Sequence, residues 1–184
     1  VLLCLFFLVE LNATPFYFKS YDMEDGLSNN HVTCCVQDDY GFMWFGTRDG
    51  LNRFDSKKFY TFKSYSSEKG SLMSSYILDL AKSPTGQIWV STNLGLQKYD
   101  YQTDSFTLID FTKGINCYSL QFDQQGNLWM ILNGYSLVKY NESQGMHLNY
   151  MYKGSDPITS FYITPQDQIW ATTANGNVVF LDDD

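Results

Sequence analysis

The side chains that could do acid–base, nucleophilic or metal chemistry are few and scattered. Two histidines, His31 and His147, lie far apart, with no carboxylate or thiolate beside them at ligand spacing, so no metal site is expected. Cys34 and Cys35 are adjacent, and on a strand they would point to opposite faces. They read as small buried residues rather than a metal or redox pair. With Cys117 they make an odd set once Cys4 is set aside in the apolar leader. The acidic clusters Asp22-Glu24-Asp25 and Asp182-Asp183-Asp184 lack the alternating oxygen ligands and glycine of a calcium loop; they read as a solvated turn and a chain end. Nucleophile-elbow, phosphate-loop and zinc-helix motifs are all missing, so the sequence implies no catalytic residue and no cofactor.

What remains is binding chemistry in loops. Polar and aromatic residues at expected loop positions are Asn30, His31, Arg48, Asp49, Tyr76, Asn93 and Tyr118, and loops on a rigid scaffold carry much of protein recognition. Arg48 stands out because the equivalent positions hold Asn93 and Ala174, and a guanidinium suits an acidic sugar. The same residues would serve equally as ordinary solvated turns. Ser28 and Asn29 read as turn formers that bond their own backbone. A net charge of −8, with Lys57-Lys58 the only basic doublet, argues against nucleic-acid binding, which needs a concentrated basic surface.

The elements that must position these loops repeat. Trp44, Trp89, Trp129 and Trp170 are 45, 40 and 41 residues apart, a period that marks propeller blades. Each follows a turn residue by three: Gly41, Gly86, Gly126 and Asp167. A second glycine follows (Gly50, Gly95, Gly134, Gly176) and an aromatic closes each unit (Phe54, Tyr99, Tyr140, Phe180). Apolar runs open the units at Val32 to Val36, Tyr76 to Ala81, Cys117 to Phe122 and Ile158 to Ile163. Strand signals between Gly, Asn, Asp and Ser turns, with no sustained 3.6-residue apolar period after residue 15, predict an all-β chain essentially without helix. Units one and two add outer strands at Phe59 to Phe62 and Ser105 to Ile109, giving repeat cores near 32–62, 76–109, 117–140 and 158–181. The tryptophans and closing aromatics are expected to fill the space between blades. Exposed, they would instead form a row of sugar-stacking rings.

These residues resemble the two-component regulator propeller repeat, known from periplasmic sensor halves of hybrid two-component systems in Bacteroidetes-type gut bacteria. The resemblance rests on Gly26-Leu27-Ser28, Gln37-Asp38, Trp44-Phe45-Gly46-Thr47, Gly50-Leu51 and Phe54-Asp55. Trp89, Thr92, Gly95-Leu96 and Tyr99-Asp100 repeat it, after Gly70-Ser71-Leu72. It runs from about Phe16 to Leu181, more closely in the first two units; Leu132 replaces the threonine in the third, and the last two lack the leucine after the second glycine. It implies a β-propeller of which this chain holds about four blades of a larger, seven-bladed ring, truncated. In that family a membrane helix, a histidine kinase, and receiver and DNA-binding regions follow.

The chain is therefore expected to be the N-terminal piece of a longer protein, since it opens on Val1 and stops after a strand. Residues 1–9 are apolar but too short to span a bilayer; with Ala13 they read as a clipped signal peptide over residues 1–13, or as a hydrophobic first strand. Residues 14–184 then form the propeller part, and Phe16 to Lys19 would be an outer strand completing the ring's last blade. Two glycosylation sequons, at Asn12 and Asn141, would matter only in a eukaryotic secretory path.

Three functions are consistent with this. In the first, an exported periplasmic sensor segment helps detect an oligosaccharide and relays it to a histidine kinase, with the remaining blades and a dimer partner as its contacts and a membrane reached only through later regions. In the second, a secreted enzyme resembles the streptogramin lyases, which need a histidine and a positioned acid on the central face. In the third, the blades are a plain protein-interaction scaffold.

Overall fold

The computed structural model describes residues 17–65, 68–151 and 156–181; the signal peptide expected at 1–13, the Asn12 sequon, Phe16 and Asp182–Asp184 lie outside them. The chain is an array of antiparallel sheets, each a meander of consecutive strands. Blade one is β1 (Val32–Gln37), β2 (Met43–Thr47), β3 (Gly50–Phe54) and β4 (Phe59–Phe62). Blade two is β5 (Ile77–Lys82), β6 (Ile88–Thr92), β7 (Gly95–Asp100) and β8 (Ser105–Leu108). Blade three is β9 (Cys117–Phe122), β10 (Leu128–Leu132), β11 (Ser136–Asn141) and β12 (Met146–Met151). Blade four has three strands among the described residues, β13 (Ile158–Ile163), β14 (Ile169–Thr173) and β15 (Val178–Leu181). Among the described residues, helix is confined to single 3₁₀ turns at Met23–Asp25 and Asp110–Thr112. The fold is an all-β propeller.

The first strands of successive blades lie side by side, and side chains satisfy the polar backbone where they meet. Thr33 donates its hydroxyl to the Ile77 carbonyl at 3.0 Å. The Leu120 N–H donates to Asp79 Oδ2 at 2.7 Å, and burial raises the pKa of that carboxyl. Gln121 donates to the Phe161 carbonyl and accepts from the Ile163 N–H.

The tryptophan faces of blades one, two and three each meet the next sheet. Trp44 is fully buried and its ring sits edge-on to Tyr99 of blade two at 4.8 Å. Trp89 meets Phe122 and Tyr140 of blade three, and Trp129 packs in one cluster with Phe161, Ile169 and Leu181 of blade four. Burying one such ring contributes roughly 4–6 kcal/mol at about 25 cal/mol per Å².

Two expectations about aromatic packing fail in blade four. Trp170 is 45% exposed, because no sheet among the described residues covers its face. Phe180 lies directly opposite Trp170 in the β14–β15 register, on the same face. In blades one and two the residue opposite the tryptophan is Arg53 or Lys98, and the closing aromatic one position later faces the preceding side. The β14–β15 loop holds three residues between Thr173 and Asn177, whose backbones are hydrogen-bonded, where blades one and two have a two-residue turn. One added residue reverses the facing of everything after it, so Leu181 takes the inter-blade position. Blade three has a three-residue loop too, but Tyr140 comes one residue later in the sequence and keeps its face.

Blade three also has the outer strand β12 that the repeat core of 117–140 omitted; its Met146-x-Leu148 stretch is largely exposed, which weakens the alternating signal. The outer strand expected at Phe16 to Lys19 is absent over its described residues: 17–20 form no strand, and Tyr17 and Phe18 are exposed. Asp167 does adopt the left-handed turn conformation, with φ 59°, in place of glycine.

A buried indole N–H needs an acceptor, and the residue six positions before each tryptophan supplies it in two blades. Trp44 Nε1 donates to Asp38 Oδ2 at 2.7 Å; Trp129 Nε1 donates to Asp123 Oδ2 at 3.0 Å. Burial alone would raise the Asp123 carboxyl, but hydrogen bonds from Trp129, Asn127 and Lys139 outweigh it and hold its pKa below the ordinary value. Asp123 therefore stabilises the fold while ionised, fully above the ordinary Asp value of 3.8 and progressively less as pH falls below it. Asp123→Asn is expected to lower stability at pH 7 by about 1–3 kcal/mol and to flatten the loss of stability below about pH 4, read from urea melts across pH. In the same assay Trp44→Ala should cost about 3–5 kcal/mol, and Trp170→Ala clearly less.

Candidate functional site

One rim of the array gathers most of the loop residues singled out in the sequence. Asn30 and His31 precede β1, and Arg48 and Asp49 form the β2–β3 turn. The Arg48 N–H donates to the His31 carbonyl at 3.3 Å, which brings the two side chains' bases together. Blade two places Tyr76 and Asn93 at the equivalent positions, before β5 and after β6. The Arg48 guanidinium lies 6.0 Å from the Tyr76 ring centroid, so the cluster crosses from one blade to the next. Asn93 Oδ1 is buried without a hydrogen-bond partner.

The threonine of the Trp-x-Gly-Thr motif holds this rim. Thr47 Oγ1 donates to the Gly50 carbonyl at 2.9 Å and accepts from the Asp49 N–H at 3.0 Å. Thr92 repeats the arrangement with Gly95 and Leu94. Gly50 and Gly95 have φ of 135° and 136°, which side chains rarely adopt. Leu132 offers no such hydroxyl, and there the turn uses Asn133 and Gly134, both at positive φ.

The remaining candidates have structural partners. Asp49 is held by Lys63 Nζ at 2.7 Å. Asn30 Oδ1 accepts from the Met23 N–H at 2.9 Å. Tyr118 is in β9, its hydroxyl 3.5 Å from the Ile158 carbonyl, and burial raises its pKa; it sits at the seam of blades three and four. Cys34 is half-buried and Cys117 buried, with burial pushing each thiol up to about 12, whereas Cys35 is exposed, contrary to the expectation that both adjacent cysteines are buried: no sheet among the described residues covers its side of β1. His31 and His147 do not converge. His147 lies in the outermost strand of blade three, its ring stacked on Phe111 at 4.1 Å. Among the described residues no group of three or more His, Cys, Asp or Glu could hold a metal ion, and no helix is long and apolar enough to cross a membrane.

A cavity that the sequence reading did not anticipate opens between blades two and three, on the opposite rim. It measures about 510 Å³ and is lined by the β5–β6 and β11–β12 turns, with Trp89 and Tyr140 among its walls. The signal for it was in the sequence: the residue six before each tryptophan reads Asp38, Ser83, Asp123 and Thr164.

Residues 26–49 match the family model described as the two component regulator propeller. This segment is similar to a two component regulator propeller repeat. It contains Trp44 and the rim residues Asn30, His31, Arg48 and Asp49. A histidine kinase of Formosa agariphila is 46% identical over 67 residues, 35% of this chain and 5% of that protein. The extracellular domain of a hybrid two component system from B. thetaiotaomicron is similar over 91% of this chain, with a TM-score of 0.80 and 24% identity. The chain spans 25% of that domain. Virginiamycin B lyase from Staphylococcus aureus shares the fold over 82% of this chain and 55% of its own, with a TM-score of 0.59 and 12% identity. The matched segment thus contributes Thr47 and Arg48 to the rim, where Arg48 meets Tyr76 of the next blade.

Thr47→Val is expected to destabilise the chain by about 1–3 kcal/mol, because it leaves the Asp49 N–H without its acceptor in a half-buried turn. Thr92→Val should cost a similar amount, and Leu132→Val at the unclamped third position should cost less than about 1.5 kcal/mol. Urea unfolding of the three variants checks the contrast.

Proposed function

We propose that this chain is an extracytoplasmic, periplasmic sensor segment of a hybrid two-component signalling protein, exported by the leader at residues 1–13. It helps to detect a carbohydrate-type ligand and relays its presence to a histidine kinase. The observation that carries the reading is the propeller repeat at residues 26–49, with the histidine kinase likeness over 67 residues in its support. The rim cluster of His31, Arg48, Tyr76 and Asn93 is the contact surface: an aromatic face for a sugar ring, a guanidinium for an acidic group, and the unpartnered Asn93 Oδ1 as an acceptor for a hydroxyl. Ligand acts by population shift, binding one arrangement of a sensor dimer better than the other and so biasing the kinase.

The segment itself has no catalytic role. A lyase mechanism needs a histidine with a positioned acid; here His147 packs on Phe111 in an outer strand, and His31 on the rim has no acid hydrogen-bonded to its ring among the described residues.

The test is a glycan screen on the full extracytoplasmic region. An acidic oligosaccharide is expected to raise its melting temperature, and Arg48→Ala to weaken that ligand by about tenfold. A region that no carbohydrate binds or stabilises would refute the sensor reading; unchanged affinity in Arg48→Ala would move the contact to other blades.

A further inference from the structure

Three blades carry the same arrangement of an acceptor position, an indole and a basic side chain, and one of them lacks its acceptor. In blade one, Asp38 accepts from Trp44 Nε1, and the Arg53 guanidinium lies 5.6 Å from the Trp44 ring. In blade three, Asp123 accepts from Trp129 Nε1, and Lys139 Nζ lies 3.3 Å from the same carboxylate. Blade two has Trp89 and Lys98 in the equivalent register, but Ser83 in place of the carboxylate. The Ser83 hydroxyl is already engaged: it accepts from the Gln87 N–H at 3.0 Å and is hydrogen-bonded to Thr85 at 2.8 Å. Trp89 is 1% exposed and its Nε1 has no partner. Lys98, whose blade has Ser83 rather than a carboxylate at the acceptor position, pairs with Glu142 of blade three.

An unpartnered buried donor costs about 1–3 kcal/mol. The repeat geometry directs the indole N–H toward residue 83, and both Ser83 and Trp89 line the 510 Å³ cavity between blades two and three. The corresponding cavity between blades three and four, where Asp123 is present, measures about 310 Å³. The larger one is within the range that holds a small ligand.

We propose that this inter-blade cavity is a binding site for a small polyhydroxylated carboxylate of the uronic-acid class, whose carboxylate occupies the slot filled by Asp38 and Asp123 in the neighbouring blades. The ligand carboxylate accepts from Trp89 Nε1. Thr85, Gln125, Asn141 and Ser143 offer neutral polar groups for the hydroxyls, and Phe122 and Tyr140 give the apolar wall that a sugar ring needs. Glu142 also lines the cavity, but its charge is met by Lys98, which leaves the indole N–H as the free donor. The site is distinct from the rim cluster, which shares no residue with it and lies at the other ends of the strands.

The four indole N–H resonances, assigned by single Trp→Phe variants, report on the site directly. Titration with sodium galacturonate is expected to shift the Trp89 indole resonance saturably and leave Trp44 and Trp129 unmoved; methyl galactoside should not shift it. Ser83→Asp, which supplies the carboxylate internally, should lower galacturonate affinity by about tenfold or more while raising the melting temperature. Trp89→Phe keeps the ring and should lose binding as well, with the Trp44 and Trp129 resonances reporting an intact fold. Arg48→Ala should leave the Trp89 response unchanged, which separates this site from the rim. The proposal is overturned by a Trp89 resonance that does not move, by an equal response in Ser83→Asp, or by acetate and galacturonate shifting it alike without saturation, which marks an adventitious anion only.

Discussion

The packing of these sheets depends on the burial of one indole in each seam between two blades. A meander of four short strands has two faces and too little apolar surface to bury either by itself, so each sheet is stable only against its neighbour. Trp44, Trp89 and Trp129 fill those seams. Each brings a polar N–H into a place without water, and the seam must then provide an acceptor. Asp38 and Asp123 meet that demand with charge-assisted bonds, and the loops they anchor, residues 38–42 and 123–127, are shaped by the same carboxylates through backbone N–H groups.

The inner strands add a second constraint. They approach one another without a continuous ladder, and Thr33, Asp79 and Gln121 carry their polar groups across the gaps. Because these bridges fix each blade relative to the next, the rim residues at the starts of β1 and β5 stand at set distances, and Arg48 reaches the Tyr76 ring.

Much of this was legible from the residues. The tryptophan period, the turn glycines and the apolar runs led to strands that match β9, β13 and β4 end to end. The loop candidates on both sides of the first seam turned out to share one rim, since strand entry and strand exit recur at the same height in every blade. Less legible was facing. Phe180 occupies the right sequence column and the wrong side of its sheet, because one extra loop residue inverts the alternation. Strand β12 escaped notice because its outer position leaves Met146 and Leu148 exposed. The change from Asp to Ser at residue 83 was visible as letters, but its meaning required seeing that the two aspartates receive an indole N–H.

By itself the sequence determined the repeat and the all-β architecture, since both follow from local patterns: a period of about 40 residues, alternating apolarity and turn chemistry. Only the tertiary structure decided which tryptophans are buried, which side Phe180 faces, that Cys35 is exposed and that Trp89 lacks an acceptor. The physical reason is that burial, register and hydrogen-bond satisfaction belong to pairs of sheets, and no property of one strand specifies what the neighbouring blade places against it.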